Sequence, residues 1–308
     1  MQKIVTIGGG TGHFQILRGL KNYECEITAI VSMSDDGGSS GRLRDEYGIL
    51  PPGDVRQCMI ALASESESKI LRELFGYRFK DGHNLGNLII TALTSIYGDS
   101  SAAIKEAGKL LKIKGRVLPI TIDSSILIGE SENDEIIRGE SRLDVFSNLQ
   151  YKIKKIYHEP KSFLYFEAGE AIRKADKIII CPGDLYGSIL PNFIVEGVPK
   201  ALQESRGKKI YVVNLFTKEG TYNFNASDFL NEVEKYSGVE MDKIIINSSK
   251  LSDEVLNKYL SEKSKLVKDD LGDDLRIIRG EFAAEYLSEI KTILRHIPER
   301  IAREIIAV

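Results

Sequence analysis

KIVTIGGGTGHFQILRGLKNYECEITAIV, residues 3–31, decides the fold. KIVTI (3–7) is a β-branched run, EITAIV (26–31) is a second apolar run, and Phe14, Leu17 and Leu20 between them keep helical spacing. Strand, glycine loop, helix and strand in that order open a parallel, doubly wound α/β sheet of the Rossmann-like kind. The loop itself, Gly8, Gly9, Gly10, Thr11 and Gly12, lies where strand becomes helix. Missing Cβ atoms let backbone N–H groups approach a phosphate, and the helix N-terminus adds favourable dipole charge. The pattern is not GxGxxG, since His13 takes the sixth position, and no GK[ST] makes it a Walker loop. A tight turn needs fewer glycines than this, which favours an anion cradle.

Outward from that core, SMSDDGGSSGRLR (32–44) follows the second strand. Asp35 and Asp36 fall where Rossmann-type sheets carry an acid to ribose hydroxyls, and the pair could also hold Mg²⁺. The small residues after them, Gly37 to Gly41, read as a mobile flap, with Arg42 or Arg44 neutralising phosphate. DVRQCMIALAS then reads as a helix with Asp54 near its N-cap. A helical block spans about 68–113, and a strand-rich, mixed-sheet excursion covers about 116–157. In DGHNLGN (81–87), Asn84 suits an N-cap, while His83 and Asn87 are candidates to face the crevice. Residues 168–193 repeat the opening pattern, ending in the loop CPGDLYGS, where Gly183, Asp184 and Ser188 are candidate phosphate or sugar contacts. KKIYVVNLF (208–216) and KIIINS (243–248) are further buried-type strands, with helices near 195–206 and 226–237. Pro298 suits the first position of a closing helix.

The bulk numbers exclude several classes. A net charge of −3 and pI near 6.0 give no reason to expect nucleic-acid or membrane-surface binding. Three scattered cysteines and four histidines without shared metal spacing argue against a disulfide framework or a zinc site. No run is long enough for a membrane helix, and the N-terminus lacks a signal-peptide pattern, so a cytoplasmic protein is expected. The chain is expected to be one domain over 1–308. No GxSxG, HExxH or Cys–His nucleophile pattern supports hydrolase chemistry.

Taken in order, GGGTG, SMSDDGGSSGRLR, PPGDVR, GHNLGN, GRVLP and PGDLYGSILPN resemble the YvcK/CofD-like family over nearly the whole chain. The chain is closer to the YvcK, gluconeogenesis-factor branch than to 2-phospho-L-lactate transferase. The resemblance implies a nucleotide diphosphate, UDP-N-acetylglucosamine, on Gly9 to Gly12. It puts Asp36 and Asp54 where the transferase branch has acids at its acceptor and metal region. It implies that Tyr259 and Arg295 hold uridine or sugar. SMSDD and PPGDVR depart from the transferase-type NTGDD and PDLDT-like words, and Asp184 stands where the family form has serine. The expectation is a homo-oligomeric regulator that needs no cofactor and links carbon metabolism to cell-wall synthesis, cell shape and a cell-wall partner protein. The alternative is a transferase moving a phospholactyl group to deazaflavin Fo with Mg²⁺. Nicotinamide oxidoreduction rests on fold analogy alone.

Overall fold

A computed structural model of the chain describes residues 1–144, 152–287 and 292–308. Residues 145–151, inside the excursion expected at 116–157, lie outside the described residues.

The two apolar runs form strands β1 (Gln2–Gly8) and β2 (Cys25–Val31), joined through helix α1 (Gly10–Leu20). Buried on both faces, they pair in parallel with Ile4 beside Ile27 and Ile7 beside Ile30. Five helices follow: α2 (Gly38–Tyr47), α3 (Gly53–Leu62), α4 (Lys69–Gly76), α5 (Leu85–Tyr97) and α6 (Ser100–Leu110). Next come β3 (Arg116–Pro119), β4 (Ile126–Ser131), β5 (Ile136–Arg138), α7 (Glu140–Asp144) and β6 (Ile153–Glu159). Then α8 (Phe166–Arg173) leads into β7 (Lys177–Ile180), a π-helical turn at Leu185–Ile189, α9 (Val198–Glu204) and β8 (Lys208–Val212). The chain closes with α10 (Ala226–Ser237), β9 (Lys243–Asn247), α11 (Asp253–Ser261), β10 (Ile277–Gly280), β11 (Ala283–Leu287), β12 (Thr292–His296) and α12 (Pro298–Ala307).

Seven strands make one parallel sheet in the order β10-β9-β8-β7-β1-β2-β3. From β1 the chain runs outward to β3, then returns to β7 on the other flank and runs outward again. That reversal between β1 and β7 opens a crevice at their carboxyl ends, where α/β sheets bind ligands. Alternation along β1 feeds two cores. Ile4 packs with Leu17, Met59 and Ile301 of α1, α3 and α12. Val5 and Ile7 face the other layer, with Ile172, Leu202 and Phe229 of α8, α9 and α10. Pro298 opens α12 as its spacing predicts.

Three local expectations change. RVLP joins the main sheet as β3, and the excursion is a purely antiparallel sheet in the order β5-β4-β6, not a mixed one. The expected flap is helical: Ser39, Ser40 and Gly41 are buried in the first turn of α2. Its small residues serve close packing, because a Cβ on Gly41 would overlap the Asp36 carbonyl and one on Gly53 would overlap Ser40 Oγ. The third change is at the C-terminus, where β10 and the β11–β12 hairpin were not anticipated. Leu294 and Ala283 of that hairpin pack on Leu215 after β8, covering one end of the crevice.

Candidate functional site

Gly9 precedes α1 in extended backbone, Gly10 takes φ +66, and α1 starts without a side-chain cap. Cβ-free positions here are set by close approach. On Gly12 a Cβ would overlap the Pro182 carbonyl, and on Gly9 it would overlap the Asp54 carboxylate and lie 3.5 Å from Ser188 Cβ. The glycine loops after β1 and β7 therefore touch, and the uncapped helix N-terminus is aimed at the space between them.

That space is a cleft of about 630 Å³. It brings together eight of the residues expected from sequence: Gly10, Thr11, Gly12, Gly183, Asp184, Ser188, Tyr259 and Arg295. On its lining, Tyr259 stacks on Phe216 with ring centroids 3.9 Å apart and planes 11° from parallel. The Leu294 N–H donates to Tyr259 Oη at 3.0 Å, and Arg295 Nη1 donates to the Leu294 carbonyl at 3.0 Å. Both side chains are thus pinned through the β12 backbone. Asp184 accepts from the Gly187 N–H at 2.6 Å, capping the π-helical turn, and faces Lys218 Nζ at 3.4 Å. The acid that departs from the family form is therefore charge-balanced from within the cleft.

Asn214 and Lys218, after β8, escaped the sequence reading. Asn214 Nδ2 donates to the Gly183 carbonyl and so holds the second glycine loop. The signal was positional: NLF follows β8, the strand next to β7, and so lies near the sheet's reversal point.

The remaining expected residues build a polar wall around α2, α3 and α5. Asp35 accepts from the Gly37 N–H at 3.0 Å. Asp54, in the first turn of α3, has its carboxyl pushed up to about 7, chiefly by burial and then by the charge of Asp35. A hydrogen bond from the Gly10 N–H and the Arg56 charge oppose that rise. Asp54 thus sits directly behind the first glycine loop. Asp36 turns away, accepting from the Ser141 N–H at 2.8 Å and the Ser141 hydroxyl at 2.5 Å. The two adjacent acids therefore serve different neighbours. Arg42 Nη2, exposed, donates to the Asp81 carbonyl at 2.9 Å. His83 Nδ1 lies 3.3 Å from Ser39 Oγ, and buried Asn87 accepts from Arg56 Nε at 2.8 Å. Asn84 caps α5, accepting from the Asn87 N–H. Arg42, His83 and Asn87 tie helices together and do not line the cleft.

Three histidines are buried beneath these layers. His13 Nε2 sits 2.7 Å from Thr6 Oγ1, His158 lies between Ser34 and Ser162, and His296 bonds the Val213 carbonyl at the back of the cleft. Burial lowers each to about 4, so all three are neutral near pH 7.

A seven-stranded parallel sheet with two glycine loops meeting at its reversal point defines a Rossmann-like α/β class. The chain belongs to the CofD family: the family model described as 2-phospho-L-lactate transferase CofD matches residues 4–283. Among its relatives, the gluconeogenesis factor of Halalkalibacterium halodurans is 41% identical over 99% of this chain and 96% of its own. The gluconeogenesis factor of Bacillus subtilis is 37% identical over 97% and 96%. A crystal structure of a Bacillus halodurans protein superposes with a TM-score of 0.92, at 40% identity over 99% of both chains. Among the described residues no helix is long and apolar enough to cross a membrane.

Proposed function

We propose that the chain binds a nucleotide diphosphate sugar, UDP-N-acetylglucosamine, as a regulatory protein linking carbon metabolism to cell-wall synthesis and cell shape. One observation carries the binding reading. The two glycine loops and the Phe216–Tyr259 stack line one and the same cleft of about 630 Å³. That volume lies within the range of small-molecule sites. The α1 N-terminus supplies dipole and N–H groups for the diphosphate, Lys218 adds charge, and the aromatic stack offers a flat surface for the base or sugar. The regulatory part follows the naming of the relatives as gluconeogenesis factors. Calorimetric titration and thermal-shift assays with UDP-N-acetylglucosamine, GDP and GTP test it. Heat and a melting shift with the UDP-sugar are expected. Silence with that ligand while a guanine nucleotide binds overturns the reading.

The Asp35–Asp54 pair favours a second reading, transfer of a phospholactyl group from a nucleotide-linked donor to Fo. Burial first and the Asp35 charge second raise the Asp54 carboxyl, and a hard cation such as Mg²⁺ would offset the second of these. Asp35 and Asp54 would hold it, while Asp36 is engaged by Ser141. When bound, Mg²⁺ neutralises phosphate charge; the chain's own part is to position the donor on its glycine loops. Incubation with the phospholactyl-nucleotide donor, Fo and Mg²⁺ decides this reading, and no turnover removes it.

A further inference from the structure

A second cavity, of about 450 Å³, opens at the end of α1 away from the cleft. Helix α1 has 11 residues, so its two ends stand roughly 16 Å apart. The loops after α3 and α6 and the first turn of α12 supply the other walls. A Cβ on Gly19 would overlap the Pro298 carbonyl, so α12 is seated closely against this end of α1.

Arg18, Lys21, Lys112 and Lys114 line the cavity against two carboxylates, Glu65 and Glu299. That is an excess of two positive charges in a chain whose net charge is −3. Arg72 of α4 adds to it, acting on Lys21 and Glu65, and its Nε is buried without a partner among the described residues. The Lys21 side chain is only 9% exposed. Burial, and after it the charges of Arg72 and Arg18, hold its ammonium below the ordinary value in spite of Glu65.

Helix ends and turns account for half of the lining cations. Lys21 Nζ donates to the Ala63 carbonyl at 3.1 Å, and Lys114 Nζ to the Tyr23 carbonyl at 2.7 Å. Arg18 and Lys112 have no such duty: among the described residues neither side chain has an ion pair or a hydrogen bond. Lys112 is moreover held at φ +49, in the place after α6 where glycine is the usual residue. Its N–H donates to the Lys109 carbonyl and the Ile113 N–H to the Gly108 carbonyl, which together make a Schellman ending.

We propose that this cavity binds a phosphomonoester of a small polyhydroxylated molecule, of the sugar-phosphate class, at a site separate from the cleft. A phosphate ester carries close to two negative charges at neutral pH and three acceptor oxygens, which the cation excess matches. The volume falls within the range of small-molecule sites. Ser64, Ser66 and Asn22 offer hydroxyl and amide partners for the hydroxyls of such a molecule. No aromatic side chain lines the cavity among the described residues, so it lacks a surface on which a base would stack.

Calorimetric titration of the full chain with glucose-6-phosphate and glycerol-3-phosphate tests this, with glucose and inorganic sulfate as comparisons. Saturable binding of one ester per chain is expected, tighter than sulfate, with none of glucose. Arg18→Gln and Lys112→Gly should each weaken it at least ~10-fold, the scale of one hydrogen bond to a charged group. Lys112→Gly also removes a side chain from left-handed backbone, so its melting temperature should not fall and lost binding is not lost folding. Lys218→Ala, in the cleft, should leave the affinity for the ester unchanged. Silence with both esters overturns the proposal, and so does binding no tighter than that of sulfate. An affinity that survives Arg18→Gln and Lys112→Gly, or collapses with Lys218→Ala, overturns it as well, because the ester then sits in the cleft.

Discussion

Lowering the pH from 7 to 5 sets two groups of buried side chains against each other, and their balance can be worked out. His13, His158 and His296 have folded-state values near 4, against 6.5 for an unhindered imidazole. Their neutral forms are the ones the fold accommodates. Each contributes stability that is complete above pH 6.5 and is lost as pH falls from there toward 4. Between pH 7 and 5 that loss is about 2 kcal/mol per histidine, or about 6 kcal/mol for the three. Asp54 works in the opposite sense. Its folded value near 7 exceeds the usual 3.8, so the folded state holds a proton the unfolded chain has released. Acidification over the same interval therefore returns about 2 kcal/mol. The histidines win, and stability should fall by roughly 3–4 kcal/mol, a drop on the order of 10 °C in melting temperature. Circular-dichroism melts at constant ionic strength measure it. His158→Gln should flatten the profile by about a third of the histidine contribution, and Asp54→Asn should steepen it. A wild-type melting temperature equal or higher at pH 5 would refute the reasoning, as would an Asp54→Asn profile with unchanged slope.

Three further outcomes are expected. Gly12→Ala forces a methyl into the Pro182 carbonyl, parting the two glycine loops; it should cost about 1–3 kcal/mol in thermal melts and abolish the ligand-induced melting shift. Tyr259→Ala removes the partner of Phe216 and should weaken UDP-N-acetylglucosamine binding about 10- to 100-fold by calorimetry, the scale of one aromatic stack on a base. Asp36→Ala frees Ser141 and should destabilise the chain by about 1–2 kcal/mol and speed proteolysis near residues 139–144, with ligand affinity unchanged; a loss of ligand binding with no change in proteolysis would return Asp36 to the cleft.

The parts of this molecule legible from sequence are those whose causes are local. The β1–α1–β2 unit shows itself because strand and helix periodicities alternate within a few residues, and a glycine loop must separate them. The same grammar around Cys181 located the second loop. Together the two loops point to a crevice at the sheet's carboxyl edge, while its place between β1 and β7 comes only from the strand order. Where contact depends on distant residues, the same reasoning failed. Asp36 looked like a partner of Asp35, but its hydrogen-bond donor is Ser141, 105 residues further on. The β11–β12 hairpin is recognisable mainly through its contact with Leu215.

Small residues posed the hardest ambiguity, since one composition answers to two physical demands. In GGGTG, the missing Cβ atoms let a loop approach Pro182 and leave backbone donors facing a cleft. In GGSSG, they let α2 lie against Gly53 and the Asp36 backbone. Both stretches follow an apolar strand, and both contain little but glycine and hydroxyl side chains. Only what lies opposite separates them: open cleft for the first, another helix for the second. Smallness alone thus does not imply a flap, since the serines of α2 are buried in its first turn.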